Sequence, residues 1–234
     1  PTRMQRGLQI VQAWLDRMRE HRFLILLISL LLLLGAWPLA TIVPAYDAAM
    51  ALCFSFVILS GLFAMKCERM LLLLAVLLGL PAIITRWNVT LAPDLLAPAA
   101  GALFPILFLA FFIVFLLRAV VLTDRITRDT IAGALSIYLL FGIVWALTYQ
   151  LLDQLHPGSF YFNPDISPEG VLTRMDYLYF SFVTLATLGY GDIAPITPVT
   201  QSFAYSEAVT GVIYIAVLIA RLVGALRIKD EGKG

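Results

Sequence analysis

The sequence predicts an all-α membrane protein: six transmembrane helices, with a short re-entrant helix between the last two. Three observations carry that prediction. The chain of 234 residues is 61% hydrophobic and only 13% charged, with a mean hydropathy of +0.93, which is too apolar for a soluble domain of this length. Its apolar residues fall into six runs, most near the twenty or so residues that cover about 30 Å of hydrocarbon at a rise of about 1.5 Å each. Between the fifth and sixth runs lies an apolar segment too short to cross, ending in Gly189-Tyr190-Gly191-Asp192. Backbone at membrane depth must satisfy its own hydrogen bonds, so spans of this kind read as helices.

Residues 1–22 form a cytoplasmic amphipathic segment. Arg3, Arg6, Arg17, Arg19 and Arg22 make it basic, while Leu8, Val11, Leu15 and Met18 recur at helical spacing beside Trp14. It lies on the membrane surface or packs on a neighbouring subunit. Residues 23–122 form a four-helix transmembrane domain. Its spans are 23–42, with Trp37 and Pro38 near the far end; 48–65; 70–85, ending at Arg86 and Trp87; and a fourth within 95–122, interrupted early by Pro98 and Pro105. Residues 123–130 read as an interfacial linker. Residues 131–227 carry the fifth span (131–152), a polar loop, the re-entrant segment and the sixth span (197–226), and residues 228–234 are a cytoplasmic tail.

The basic residues orient the chain. Arg3 to Arg22 precede the first span, Lys66 and Arg69 follow the second, and Arg118, Arg125 and Arg128 mark the inner end of the fourth. Arg227, Lys229 and Lys233 follow the sixth, with only Arg86 and Arg174 on the opposite side. The excess of Lys and Arg on one side places both termini in the cytoplasm of a multi-pass protein of the cell (inner) membrane. The sequon Asn88-Val89-Thr90 falls outside. No cleavable signal peptide is expected, because the first apolar run is too long and follows an arginine-rich segment. Cys53 and Cys67 are read as neither a disulfide nor a metal site, and His21 and His156 form no ligand pattern. Nothing points to nucleic acid, a nucleotide or an organic cofactor. Paired intramembrane carboxylates, a Ser/His pair and a metal-ligand cluster are all missing from the spans, which argues against an enzyme.

The loop 153–172 is rich in turn formers, among them His156-Pro157-Gly158 and Asn163-Pro164-Asp165. Its acids Asp153, Asp165 and Glu169 either raise the local cation concentration or belong to a plain solvated loop. Thr173-Arg174-Met175-Asp176 has the form of a capping box with Asp in place of Glu. The helix that follows, about 174–186, descends halfway and aims the negative end of its dipole inward, where it favours a cation.

The next residues carry the chemistry. A cation entering a narrow path must exchange its water for other oxygens, and rings of backbone carbonyls can supply them. Turning successive carbonyls the same way needs unusual backbone angles, which Gly189 and Gly191 adopt without steric penalty. Thr187 adds a hydroxyl at the inner end, Tyr190 packs outward as a rigid spacer, and Asp192 sets negative charge at the outer mouth. Thr184-Leu185-Ala186-Thr187-Leu188-Gly189-Tyr190-Gly191-Asp192 resembles the selectivity filter of tetrameric potassium channels, with Leu188 where valine is usual. The resemblance implies a homotetramer in membrane lipid, with one filter strand per chain. It further implies permeant K+ held by Thr187, Leu188, Gly189 and Tyr190, and support of the filter by Thr184.

In that family a pair of tryptophans and sometimes a glutamate back the filter. Here Tyr179-Phe180 takes the aromatic place and Val183 the glutamate position, so a supporting carboxylate must come from elsewhere. Glu207 is the candidate, a carboxyl within the sixth span at a depth that is costly without a role. It hydrogen-bonds behind the filter to pore-helix threonines, tyrosines or amides, or it senses protons or lines the cavity. Gly211 lies at the position of the family's inner-helix hinge, where glycine permits either bending or close packing. Below it Ile215, Ile219, Leu222 and Val223 are expected to line a cavity and form an apolar gate.

Six spans with the pore in the last two also resemble voltage-gated channels, but the fourth span has only Arg118 where a sensor needs several arginines. The expectation is a passive K+ channel that is voltage-insensitive or weakly voltage-dependent, with an unidentified regulatory ligand allowed for. The alternatives are a less selective monovalent cation channel, which Leu188 would permit, and a membrane scaffold with a non-conducting pore.

Overall fold

A computed structural model describes residues 21–36, 46–64, 69–91, 98–123, 126–163 and 171–231. Its first four helices are α1 (Arg22–Gly35), α2 (Tyr46–Ala64), α3 (Arg69–Leu91) and α4 (Pro98–Val121), followed by α5 (Arg128–Leu155). Consecutive helices of the front half pack on one another, and both α1 and α4 also pack along α5. The front half and α5 therefore share one apolar core, with Leu26, Leu30, Ile58, Phe108, Phe112, Leu116, Ile137 and Leu140 among its buried residues.

Several boundaries differ from the sequence expectation. Helix α1 ends at Gly35, and residues 37–45, with the expected end of the first span, lie outside the described residues. Neither proline interrupts α4: Pro98 opens it and Pro105 sits inside it. Proline suits the first helical position because its missing N–H would be unpaired there anyway. In a membrane helix an internal proline forfeits one backbone bond, which neighbouring groups make good, whereas breaking the helix would strand many. Pro81 is carried inside α3 in the same way. That helix continues past Arg86 to Leu91, so the sequon Asn88-Val89-Thr90 is helical.

The expected linker 123–130 is also shorter than read, because α5 begins at Arg128. Thr127 Oγ1 accepts from Thr130 N at 3.1 Å, and Thr127 N donates to Thr130 Oγ1 at 3.3 Å, a reciprocal cap. Three described helices are long and apolar enough to cross a membrane: Gly101–Val121, Arg128–Leu155 and Pro198–Arg221. The described apolar parts of the other three, Arg22–Gly35, Ala51–Leu62 and Met70–Thr85, are shorter.

Two side chains tie the helices together at the end where α4 gives way to α5. Asp129 Oδ1 accepts from the backbone N–H groups of Phe23 and Leu24, both at 3.0 Å, so α5 caps the N-terminus of α1. Arg221, on the last helix, donates to the carbonyls of Val120 and Thr123, capping the C-terminal end of α4 with a cation.

The second half is not purely helical. After α5 come β1 (Phe160–Phe162), α6 (Arg174–Leu185), β2 (Ile193–Pro195) and α7 (Pro198–Glu231). The two strands pair antiparallel, Phe160 with Pro195 and Phe162 with Ile193. The prediction of an all-α chain missed this sheet, because three-residue strands carry too little alternation to show a period and the flanking turn formers read as loop. Helix α7 also runs through residues 228–231 of the expected tail. Residues 1–20, residues 164–170 of the outer loop, Cys67 and residues 232–234 lie outside the described residues. Cys53 is a free thiol.

Candidate functional site

Helix α6 has 12 residues, about 18 Å at the ordinary rise, so it cannot cross a membrane. Its start follows the sequence: the Asp176 carboxylate accepts from Thr173 N at 2.6 Å and from Thr173 Oγ1 at 2.7 Å. One face is buried against α5, with Phe180 at the centre of an aromatic cluster. The Phe180 ring lies 4.9 Å from that of Tyr149 and 5.4 Å from that of Phe160, centroid to centroid and edge-on.

The end of α6 sets up the segment that follows. Leu188 N donates to Val183 O and Thr187 N to Thr184 O, each at 2.9 Å. This two-bond cap closes a helix when the residue after its C-cap is left-handed, a place usually taken by glycine. Here it is Thr187, with φ of 57°. A β-branched residue there is strained, by about 1–3 kcal/mol, and the cap holds it. Gly189 follows at φ 58° and Gly191 at φ 78°. Left-handed residues thus occupy every second position from 187 to 191. The sequence made the two glycines legible; the matching angle at Thr187 has no sequence signal.

On the far side the segment is fastened to its own chain. Tyr190 stacks on Tyr179, with centroids 6.4 Å apart and planes within 9°. Tyr179 in turn donates to Asp192 Oδ2 at 2.6 Å. Ile193 N donates to Asp192 Oδ1 at 3.0 Å, and Asn163 N to the Asp192 carbonyl at 2.9 Å. The described part of the outer loop is therefore a strand laced to the exit of the Gly-Tyr-Gly segment. Asp153, read from the sequence as part of this loop, lies in the last turn of α5 and accepts from Ser159 N at 2.9 Å and from the Tyr177 hydroxyl at 2.6 Å, so this acid is occupied structurally.

Behind α6, Glu207 is completely buried. The Tyr149 hydroxyl donates to its Oε2 at 2.6 Å, and Ser181 Oγ lies 2.5 Å from its Oε1. The carboxyl meets α6 as anticipated, but through a serine and not a threonine, and its tyrosine comes from α5. Neither Tyr149 nor Ser181 was visible as a site residue, since no spacing links them to Glu207. Thr184 joins the site through its carbonyl, in the cap around Thr187.

Gly211 is a close-packing glycine. A Cβ built there would overlap the Leu185 carbonyl oxygen and lie 3.1 Å from Leu185 C. Helix α7 is one continuous helix of 34 residues through this point. Ile215 and Ile219 are exposed on α7 in the single chain, whereas the side chains of Leu222 and Val223 lie outside the described residues. Leu188 and Tyr190 are 58% and 66% exposed, so the Gly-Tyr-Gly segment stands on an uncovered face.

The ion channel family model matches residues 133–227, from early α5 into α7. Protein LctB of Bacillus caldotenax is 32% identical over 102 residues, covering 43% of this chain and 75% of that protein. The chain belongs to this ion channel family. It is a helical membrane protein and a channel rather than an enzyme. Two-pore potassium channel 4 of Arabidopsis thaliana is 34% identical over 89 residues, 38% of this chain and 27% of that one. Voltage-gated potassium channel Kch of Escherichia coli (strain K12) is 28% identical over 124 residues, 53% of this chain and 27% of that one. The chain thus spans most of LctB but about a quarter of these two potassium channels. No solved structure matches it.

Proposed function

We propose that four copies of the chain form a potassium-selective channel that conducts K+ passively across the cell membrane, with Thr187, Leu188, Gly189, Tyr190, Gly191 and Asp192 as its filter. The observation that carries this reading is the left-handed backbone at residues 187, 189 and 191. Alternating it with ordinary φ at 188 and 190 turns successive carbonyls toward one side, where a bare cation could exchange water for peptide oxygens. Permeant K+ sits between Thr187 and Tyr190. One strand supplies only part of a coordination shell, so several copies must converge, and the bare face of α7 fits that requirement. Only 11% of its spanning window is buried within one chain. The relatives named as potassium channels support the ion assignment.

In this reading Thr184 and Glu207 support the filter, Gly211 lies at the hinge position, and Ile215, Ile219, Leu222 and Val223 line the cavity and gate. Six helices cross the membrane with both termini cytoplasmic. Arg118 is exposed near the inner end of α4; as the fourth span's single arginine it gives the front half too little charge to move, so the channel is voltage-insensitive or weakly voltage-dependent.

The test is purified protein in liposomes, with bi-ionic reversal potentials for potassium against sodium and a voltage-step series. Selective potassium flux from a tetramer is expected. Equal permeability to sodium would support the less selective cation channel, and no flux from an intact tetramer would support the scaffold. A steep voltage response would refute the account of the front half.

A further inference from the structure

Around Glu207 a single serine hydrogen faces two close oxygens if the carboxyl is ionised. Ser181 Oγ lies 2.8 Å from the Gly142 carbonyl oxygen and 2.5 Å from Glu207 Oε1. Both are hydrogen-bond distances, but a serine hydroxyl has one hydrogen. A carbonyl has none to give, so the hydrogen toward Gly142 is that of Ser181. Tyr149 spends its own hydrogen on Oε2. Two full hydrogen bonds at Ser181 therefore need a second hydrogen, which Glu207 supplies if it is protonated; otherwise one serine hydrogen is shared between both acceptors.

We propose that Glu207 is a neutral carboxylic acid that donates to Ser181, and that this donation positions the filter by pinning α6 to α5. The chain of donors runs from Glu207 on α7, through Ser181 on α6, to the Gly142 carbonyl on α5, with Tyr149 of α5 closing on the other carboxyl oxygen. Ser181 precedes the first filter residue, Thr187, by six positions, so the network holds α6 just ahead of its cap. The surroundings agree with a neutral acid. The group is fully buried, and no cation among the described residues offsets it. Its titratable neighbours are tyrosines, Tyr149 and Tyr138 from α5. An unpaired charge at membrane depth is costly. The fit between α5 and α6 is also tight there, since a Cβ on Gly142 would lie 2.5 Å from Phe182 Cζ.

The protonation stands on geometry alone, whereas the positioning role rests on the channel reading above, and the experiment separates them. Infrared spectra of the purified assembly, wild type minus Glu207→Gln, should contain the carbonyl stretch of a buried neutral carboxylic acid, shifted in heavy water. Glutamine keeps the full set of contacts, its amide N–H replacing the acid O–H, so potassium flux should stay within about twofold of wild type. Glu207→Ala and Ser181→Ala leave a polar group unpaired and should cut flux by about tenfold or more in folded tetramers. Absence of the acid band overturns the protonation. Glu207→Gln as impaired as Glu207→Ala overturns the positioning role. A wild type that passes no ion refutes the channel reading and the positioning with it, while the band still decides where the proton sits.

Discussion

Gly211→Ala probes how closely the last helix approaches the filter. The new methyl would meet the Leu185 carbonyl oxygen, with Leu185 C and Cδ1 each at 3.1 Å. Reaching an ordinary carbon–oxygen contact of about 3.3–3.6 Å requires the two backbones to part by about 1 Å. Overpacking of this kind costs about 1–3 kcal/mol, and the better helix propensity of alanine returns about 1 kcal/mol. The net is about 0–2 kcal/mol per protomer, carried by a displacement two residues before Thr187. Thermal unfolding of the purified assembly should fall by a few degrees. In the proposed channel, bi-ionic reversal potentials should show weakened preference for potassium, because the carbonyls are aimed from that point onward. Gly142→Ala is the contrast: its methyl meets the far end of the Phe182 ring and no backbone, so its effect should be smaller than that of Gly211→Ala. A Gly211→Ala channel with unchanged stability and selectivity but slowed opening would refute the packing argument in favour of a hinge.

Arg221→Ala removes two charge-assisted bonds to the end of α4 and should destabilise the protein by about 1.5–3 kcal/mol. Arg221→Lys should recover only part of this, because an ammonium lacks the planar fork that reaches both carbonyls; chemical denaturation in detergent reads both. Asp129→Ala uncaps α1 and should cost about 0.5–2 kcal/mol, with hydrogen exchange rising first at Phe23 and Leu24 and the potassium flux unaltered. Tyr179→Phe cuts the bond to Asp192 while keeping the stack on Tyr190. Assembly should be normal, and single-channel recordings should show briefer openings as the outer end of the filter loosens.

The pore half was largely legible because its signals are local. Two glycines two positions apart and an acid three residues after Thr173 each name a backbone requirement that the chain meets where it stands. The front half was legible as helices but not in its joints. Pro98 and Pro105 read as interruptions, yet an apolar surrounding penalises an open backbone more than a proline. The contacts that assemble the site are remote in sequence: Tyr149 with Glu207, Asp129 with Phe23, Arg221 with Val120. Nothing periodic announces such pairs. Glu207 could be singled out as costly, but its partners emerge only when three helices are brought together. The strand pair 160–162 and 193–195 escaped notice because each half is three residues long and gains its meaning from the other.

The corner between α4 and α5 spans only residues 122–127, and Asp129 and Arg221 clamp it on either side. In the proposed tetramer so brief a tether would give the front four helices no reach to lean on another subunit's α5; in the single chain they rest on their own. Each polypeptide can therefore mature as a finished brick during synthesis, before any companion arrives. If the chain assembles as proposed, a lesion in the front half burdens the copy that carries it, and tetramers mixed from damaged and sound chains should show graded decline in proportion to the dose.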